Sequence, residues 1–329
     1  MTSPEPAPQP TSDRLKVRPA ARPLAWIARL VAVVAVGVVA WALITSWGAV
    51  VYGHPAYLVL LAVTAVGAIA TLTVSFVRPA RPGRWRVIGR VALVVGGSAW
   101  VALTAWLRPY SAVEPALAAM MSDAEVTVTA SATDIVLAPT AGAGTTGVFF
   151  QPGALVDPRA YAAVLRPLVE DGHTVVIAKQ PLGIAFLALG AFDAARESNP
   201  EIDAWIVGGH SLGGTVAAIE AADDAGAAAP AAGLMFFASY PAGDLSTELT
   251  IPVISISGTE DGLSTPADIE ASRADLPADA TFTVVEGASH AQFGDYGPQS
   301  GDGTPTISDA HARYEITAAA LGFVAANSD

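Results

Sequence analysis

Hydrophobic and polar positions along this 329-residue chain follow two regimes that meet near residue 110. Before that point, three apolar runs at about 24–47, 57–77 and 87–107 continue for about 20 residues or more and show no polar face. A helix of about 20 residues rises about 30 Å, the thickness of a bilayer's hydrocarbon layer, so each run predicts a membrane-spanning helix. After residue 124 the period changes. Residues 125–129 and 134–137 alternate like a strand pair, the antiparallel edge of a sheet. Short apolar runs at 147–150, 174–178, 204–207, 233–238, 251–257 and 282–286 then take turns with helical stretches, as parallel strands do with their crossovers. The pattern predicts a doubly wound, mostly parallel sheet with helices on both faces, preceded by transmembrane helices. The expected segments are a disordered basic tail over 1–23, a membrane region over 24–108, a linker over 109–123 and an α/β domain over 124–329.

Charge sharpens the division. Up to residue 108 there are eleven Lys and Arg against Glu5 and Asp13, whereas the remainder holds six basic and 28 acidic residues. Six of the seven tryptophans (Trp26, Trp41, Trp47, Trp85, Trp100, Trp106) fall in the basic part, several near the ends of the apolar runs, as interfacial anchors do. Arg14, Lys16, Arg18 and Arg22 precede the first run and Arg78, Arg81, Arg84 and Arg86 precede the third, while residues 48–56 carry no Lys or Arg. Positive segments stay on the cytoplasmic side, so three spans put the α/β domain on the other side of the cell membrane. Arg90 near the start of the third run, and Gly96-Gly97-Ser98 within it, are the weak points; without that span the domain would be cytoplasmic. A cleaved signal peptide would account for the first run alone.

Candidate chemistry lies in the acidic part. Gly209-His210-Ser211-Leu212-Gly213 directly follows the run at 204–207 and precedes a small-residue helical stretch. In Gly-x-Ser-x-Gly the serine occupies a strained strand-to-helix turn, and the flanking glycines remove the Cβ atoms that would collide there. Ser211 is thus a candidate nucleophile, and the Leu212 amide, at a helix N-terminus, a candidate donor to an oxyanion. Of the five histidines, His54 falls in the membrane part, His173 at the N-terminal edge of a strand, His210 beside the serine and His311 in a terminal helix. His290 remains, in a loop just after the strand at 282–286 and so at a strand's C-terminal end, where α/β sheets place their chemistry. The loop Gly258-Thr259-Glu260-Asp261-Gly262 supplies the acid, with Asp261 the first choice and Glu260 the reserve.

With these three loops, residues from about 124 onward resemble an α/β-hydrolase, most similar to the dienelactone-hydrolase-like branch. That resemblance implies a Ser211, Asp261, His290 triad in the chain order of the fold. Dienelactone hydrolases use a cysteine nucleophile; this chain has no cysteine, so a serine esterase is implied instead. The family's His-Gly oxyanion loop is replaced by Gln151-Pro152-Gly153-Ala154, in which Gly153 lets the chain bend so that the Ala154 amide supplies the second donor. About a dozen residues separate the strand at 233–238 from residue 251, too few for a large cap, which predicts an open, shallow pocket for small esters. A serine peptidase or amidase of the same fold is the alternative, as is a catalytically silent, membrane-tethered binding module. No cofactor or metal is called for: cysteine-based metal sites are excluded, and no dinucleotide or P-loop fingerprint occurs. The acidic balance argues against nucleic acid and leaves a small ester and the lipid bilayer as partners. Oligomeric state is open.

Overall fold

In lipid a backbone satisfies its own polar groups best as a helix, and all three long apolar runs are helical. The computed structural model describes residues 21–77, 84–226 and 230–328; the expected tail over 1–23 lies outside them up to residue 20, while its last three residues already belong to a helix, and the basic positions Arg78 and Arg81 also lie outside. The first elements are α1 (Ala21–Thr45), the short α2 (Trp47–Tyr52), α3 (Pro55–Val77) and α4 (Arg84–Trp106). Within α1 the stretch Pro23–Thr45, and all of α3 and α4, are each long and apolar enough to cross a membrane. Helix α4 runs unbroken through Gly96, Gly97 and Ser98. Arg29, a charge inside α1, is hydrogen-bonded by α3: Nη2 donates to the Ser75 carbonyl at 2.6 Å and Nε to Ser75 Oγ at 3.1 Å. Its guanidinium also lies over the rings of Trp26 and Phe76.

Two compact units divide the chain. Among the described residues, one joins 21–37 with 64–77 and 84–103; the other joins 38–63 with 104–226 and 230–328. The second unit therefore contains the end of α1, α2 and the start of α3 together with the whole α/β part.

Its sheet follows α5 (Ala116–Ala119) and comprises β1 (Val126–Ala130), β2 (Asp134–Pro139), β3 (Thr146–Gln151), β4 (Thr174–Ala178), β5 (Ala204–His210), β6 (Gly233–Phe237), β7 (Val253–Gly258) and β8 (Thr281–Val285). Spatial order is β1-β2-β4-β3-β5-β6-β7-β8. The β1–β2 and β2–β4 pairs are antiparallel and every later pair is parallel. The helices are α6 (Ala162–Glu170), α7 (Ala191–Ser198), α8 (Leu212–Asp224), α9 (Pro266–Ala271) and α10 (Asp309–Ala326).

Strand periodicity sorts the core into two layers. Val148, Phe150, Val175, Ile177, Ile206 and Phe237 point to one face, where Leu165, Leu168, Ile316 and Phe323 of α6 and α10 cover them. Phe149, Val176, Val207 and Phe236 point to the other, beneath Phe192 of α7 and Ala217, Ala218 and Ala221 of α8. Each fully buried large side chain contributes roughly 1.5–3 kcal/mol, and the double coverage explains why the central strands read as unbroken apolar runs. The small residues of α8 let it lie close on β5 and β6. That proximity brings the N-terminus of α8 to the C-terminal edge of the sheet.

Candidate active site

Ser211 sits between β5 and α8 at φ 53° and ψ −127°, a conformation that residues with a Cβ rarely adopt and that costs about 1–3 kcal/mol. Hydrogen bonds hold it there. Its N–H donates to the Phe237 carbonyl at 3.0 Å, and its own carbonyl accepts from Gly214 N–H at 3.0 Å and Ser239 Oγ at 2.6 Å. The motif glycines are required by crowding: a Cβ on Gly209 would collide with the Gly213 and Gly214 backbone, and one on Gly213 with the carbonyl oxygens of Gln151 and Pro152. The α8 N-terminus thereby abuts the loop that leaves β3. Ala154 on that loop and Leu212 on α8 have backbone N–H groups that donate to nothing among the described residues. The Leu212 amide adjoins the serine turn, and the Ala154 amide lies on the loop that abuts it.

His290 follows β8 and is completely buried. Its Nδ1 lies 2.8 Å from Asp261 Oδ2, on the loop after β7, and Asp261 is 4 % exposed. Asp261 Oδ1 accepts from the amides of Leu263 and Ser264 at 2.8 and 2.7 Å, so the carboxylate acts as acceptor throughout and His290 Nδ1–H donates to it. The proton on Nδ1 leaves Nε2 with a lone pair. That Nε2 is buried with no partner among the described residues. Such an atom is an unused base, and its ring lies 4.5 Å, centroid to centroid, from the ring of His210, the residue before Ser211. Glu260 is not brought to His290: its amide donates to the Ala288 carbonyl at 2.9 Å, and its side chain makes no hydrogen bond among the described residues.

A sequence profile described as the alpha/beta hydrolase family matches residues 147–314, just over half of the chain. The chain belongs to that family. No curated protein matches it. Among solved structures, a CIB-like hydrolase from Thermoplasma acidophilum is 11% identical, with 60% of this chain and 98% of that one covered at a TM-score of 0.47. A dienelactone hydrolase-like promiscuous phosphotriesterase from metagenomic libraries is 14% identical, with 62% and 100% covered and a TM-score of 0.46. The dienelactone hydrolase of Anabaena variabilis is 15% identical, with 62% and 100% covered and a TM-score of 0.46.

Around this alpha/beta-hydrolase centre stand residues that the sequence pattern passed over. Gly153 N–H donates to the Tyr161 hydroxyl at 2.8 Å, and that hydroxyl is hydrogen-bonded to His210 Nδ1 at 2.9 Å. Burial, and secondly the neighbouring His290, hold the His210 pKa well below its ordinary value, so the ring beside the base stays uncharged. Burial also raises the Tyr161 hydroxyl pKa, keeping it a donor. Gly153 is required for a different reason from the one read in the sequence. Its φ is not positive; a Cβ there would come within 2.6 Å of His210 Nδ1, and the left-handed residue is Leu155, at φ 60°.

Asp302 ties the acid loop to the base loop. It accepts from the amides of Gly262, His290 and Gly303 through Oδ1 and from Ala291 through Oδ2, all within 3.1 Å. Burial pushes its pKa up, but the four N–H donors outweigh it and the net pKa is lowered. On the far side of the serine turn, Gln151 Nε2 donates to Glu220 of α8 at 3.2 and 3.3 Å, while Gln180 Nε2 donates to Gln151 Oε1 and the Pro152 carbonyl. Burial raises the Glu220 pKa to about 7.

Three neighbours of the base with potential to line the pocket have other work. Gln292 caps its own turn and donates to the Ile307 carbonyl and Asp309, Asp295 pairs with Arg313, and the Tyr296 hydroxyl donates to Gln299. His173 contacts the Thr146 carbonyl at the opposite edge of the sheet, and His311 is exposed on α10. The connection from β6 to β7 contains no helix among the described residues. Among those residues no group of three or more His, Asp or Glu side chains is arranged to hold a metal ion.

Proposed function

We propose that the chain is a membrane-anchored serine hydrolase that cleaves carboxylic esters through an acyl-serine intermediate. The observation that carries this reading is the buried His290, bonded through Nδ1 to Asp261 at 2.8 Å while Nε2 stays unpartnered beside the strained serine turn. Ser211 Oγ attacks the ester carbonyl carbon and its proton passes to His290 Nε2. Asp261 stabilises the imidazolium. The Leu212 and Ala154 amides receive the oxyanion, each donor lowering the barrier by about 3 kcal/mol. Collapse of the tetrahedral adduct expels the alcohol, which takes the proton from His290. Water then gives a proton to Nε2 and attacks the acyl carbon; collapse of the second adduct releases the carboxylic acid, and Ser211 Oγ takes the proton back from Nε2. Every participating group is protein or water, so the reading needs no cofactor.

Small esters suit an active-site edge on which no helix is inserted between β6 and β7. The positive residues before α1 and before α4 favour the cytoplasm, so the reading puts the hydrolase part on the opposite side of the cell membrane. The decisive experiment treats the full-length protein and its Ser211→Ala variant with a fluorophosphonate probe and with short-chain p-nitrophenyl esters. Labelling and turnover are expected in the wild type alone, with turnover also lost in His290→Ala; equal labelling of Ser211→Ala would overturn the proposal.

A further inference from the structure

The loop that presents the Ala154 amide is gripped from both sides by chain that does not belong to the sheet. On one side is the segment leaving α4: Tyr110 N–H donates to the Leu155 carbonyl at 2.8 Å, and the Tyr110 carbonyl accepts from Asp157 N–H at 2.9 Å. Asp157 Oδ2 in turn accepts from Ala112 N–H at 3.2 Å. On the other side is the turn after β4, where Leu155 N–H donates to the Gly183 carbonyl at 2.7 Å. The two turns are in backbone contact, since a Cβ on Gly183 would come within 2.8 Å of Leu155 Cα.

Each turn carries a leucine in the left-handed region, Leu155 at φ 60° and Leu182 at φ 56°. A side chain is disfavoured there, and such a residue persists only where its surroundings over-determine it. Here the surroundings are the membrane helices. Leu155 and Leu182 pack on a buried cluster made of Ala42 of α1, Val50 of α2, Tyr57 and Leu61 of α3, and Leu107 just after α4. The Arg159 guanidinium, paired with Asp157, lies 4.8 Å over the ring of Tyr52 at the end of α2 and fastens the same loop a second time.

We infer that the helix ends clamp the oxyanion loop, with Leu155 and Leu182 as positioning residues that transmit the packing of the membrane region to the Ala154 amide. The membrane part is then a working half of the active site as well as its tether. This rests on reading Ala154 as an oxyanion donor. A shift of α1, α2 or α3 displaces Leu155 before it can disturb Ser211 or His290, because those two residues are held by β5, β6 and the Asp302 bonds.

The test uses the full-length protein in nanodiscs and the variants Val50→Ala and Leu182→Ala. Neither residue touches the triad; Ile44→Ala, on an exposed position of α1, is the control. For both variants, kcat per fluorophosphonate-titrated serine is expected to fall at least fivefold with KM within threefold. Inhibition by a trifluoromethyl ketone should weaken in step, and Leu182→Met should recover most of the loss. Hydrogen exchange of the Leu155 and Asp157 amides should rise in the same variants. A kcat loss below fivefold, or unchanged exchange of those amides, overturns the clamp. If instead Ser211→Ala keeps its turnover, the serine reading fails, and the exchange measurement still decides the clamp by itself.

Discussion

Replacing Glu220 by glutamine isolates one buried carboxyl beneath the serine turn, and its consequence is calculable. The pKa is raised from 4.5 to about 7 in the folded protein, chiefly by burial, against hydrogen bonds from Gln151 and backbone amides that lower it. Below pH 4.5 the carboxyl is protonated in both folded and unfolded chains and costs nothing. As pH rises the unfolded chain releases its proton first, so stability is lost progressively up to the folded pKa near 7 and the loss is constant above it. A shift of about 2.5 units corresponds to about 3 kcal/mol. The substituted amide does not titrate and keeps an acceptor for Gln151. The Glu220→Gln variant should therefore unfold at nearly the wild-type temperature near pH 4.5 and at a temperature higher by about 6–12 °C at pH 8, taking about 2–4 °C per kcal/mol for a domain of this size. Thermal unfolding of both proteins followed by circular dichroism at half-unit pH steps measures the difference directly. A difference that stays flat from pH 4.5 to 8 would falsify the assignment of a raised pKa to this buried carboxyl.

Other perturbations separate the roles around the base. Asp261→Asn should lower kcat on the order of 10⁴-fold by reversing the His290 tautomer, whereas Glu260→Gln should leave esterase kcat within about twofold. Tyr161→Phe leaves the Gly153 N–H buried without an acceptor and should cost about 1–3 kcal/mol of stability, read from thermal unfolding. Asp302 has a lowered pKa, so the stability it contributes is present above the ordinary carboxylate range and lost as pH falls through its depressed value. Asp302→Asn should accordingly show a shallower acid limb of unfolding than the wild type. A reporter active on one side of the membrane, fused after residue 329, should be silent in the cytoplasm; cytoplasmic activity would reverse the proposed orientation.

Much of this architecture was legible in local pattern. Unbroken apolar runs of about 20 residues call for helices because lipid offers the backbone no other partners, and they are helical from α1 to α4. The alternation of short apolar runs with helices yields the parallel sheet for an equally local reason, since each strand buried on both faces must be apolar throughout. Gly-x-Ser-x-Gly encodes its own turn, and the acid and base candidates follow it at strand ends.

What the sequence could not decide was which distant groups meet. Glu260 and Asp261 are adjacent and chemically alike; Asp261 alone of the two bonds His290, 29 residues onward, with its carboxylate held by the Leu263 and Ser264 amides. Arg29 lies inside an apolar run as an apparent defect until Ser75, 46 residues away, receives it. Tyr161 reaches His210 across 49 residues, and Asp302 gathers amides from two loops. The packing of Leu155 and Leu182 on the ends of the apolar helices is of the same kind. Periodicity records which side of its own element a residue faces, and that determined the spans, the strands and the serine turn. A hydrogen bond or packing contact between separate elements depends on where the completed fold sets both partners, so the Asp261–His290 pair, the Asp302 bonds between two loops and the contacts of Leu155 and Leu182 with the ends of the apolar helices appear only in the tertiary structure.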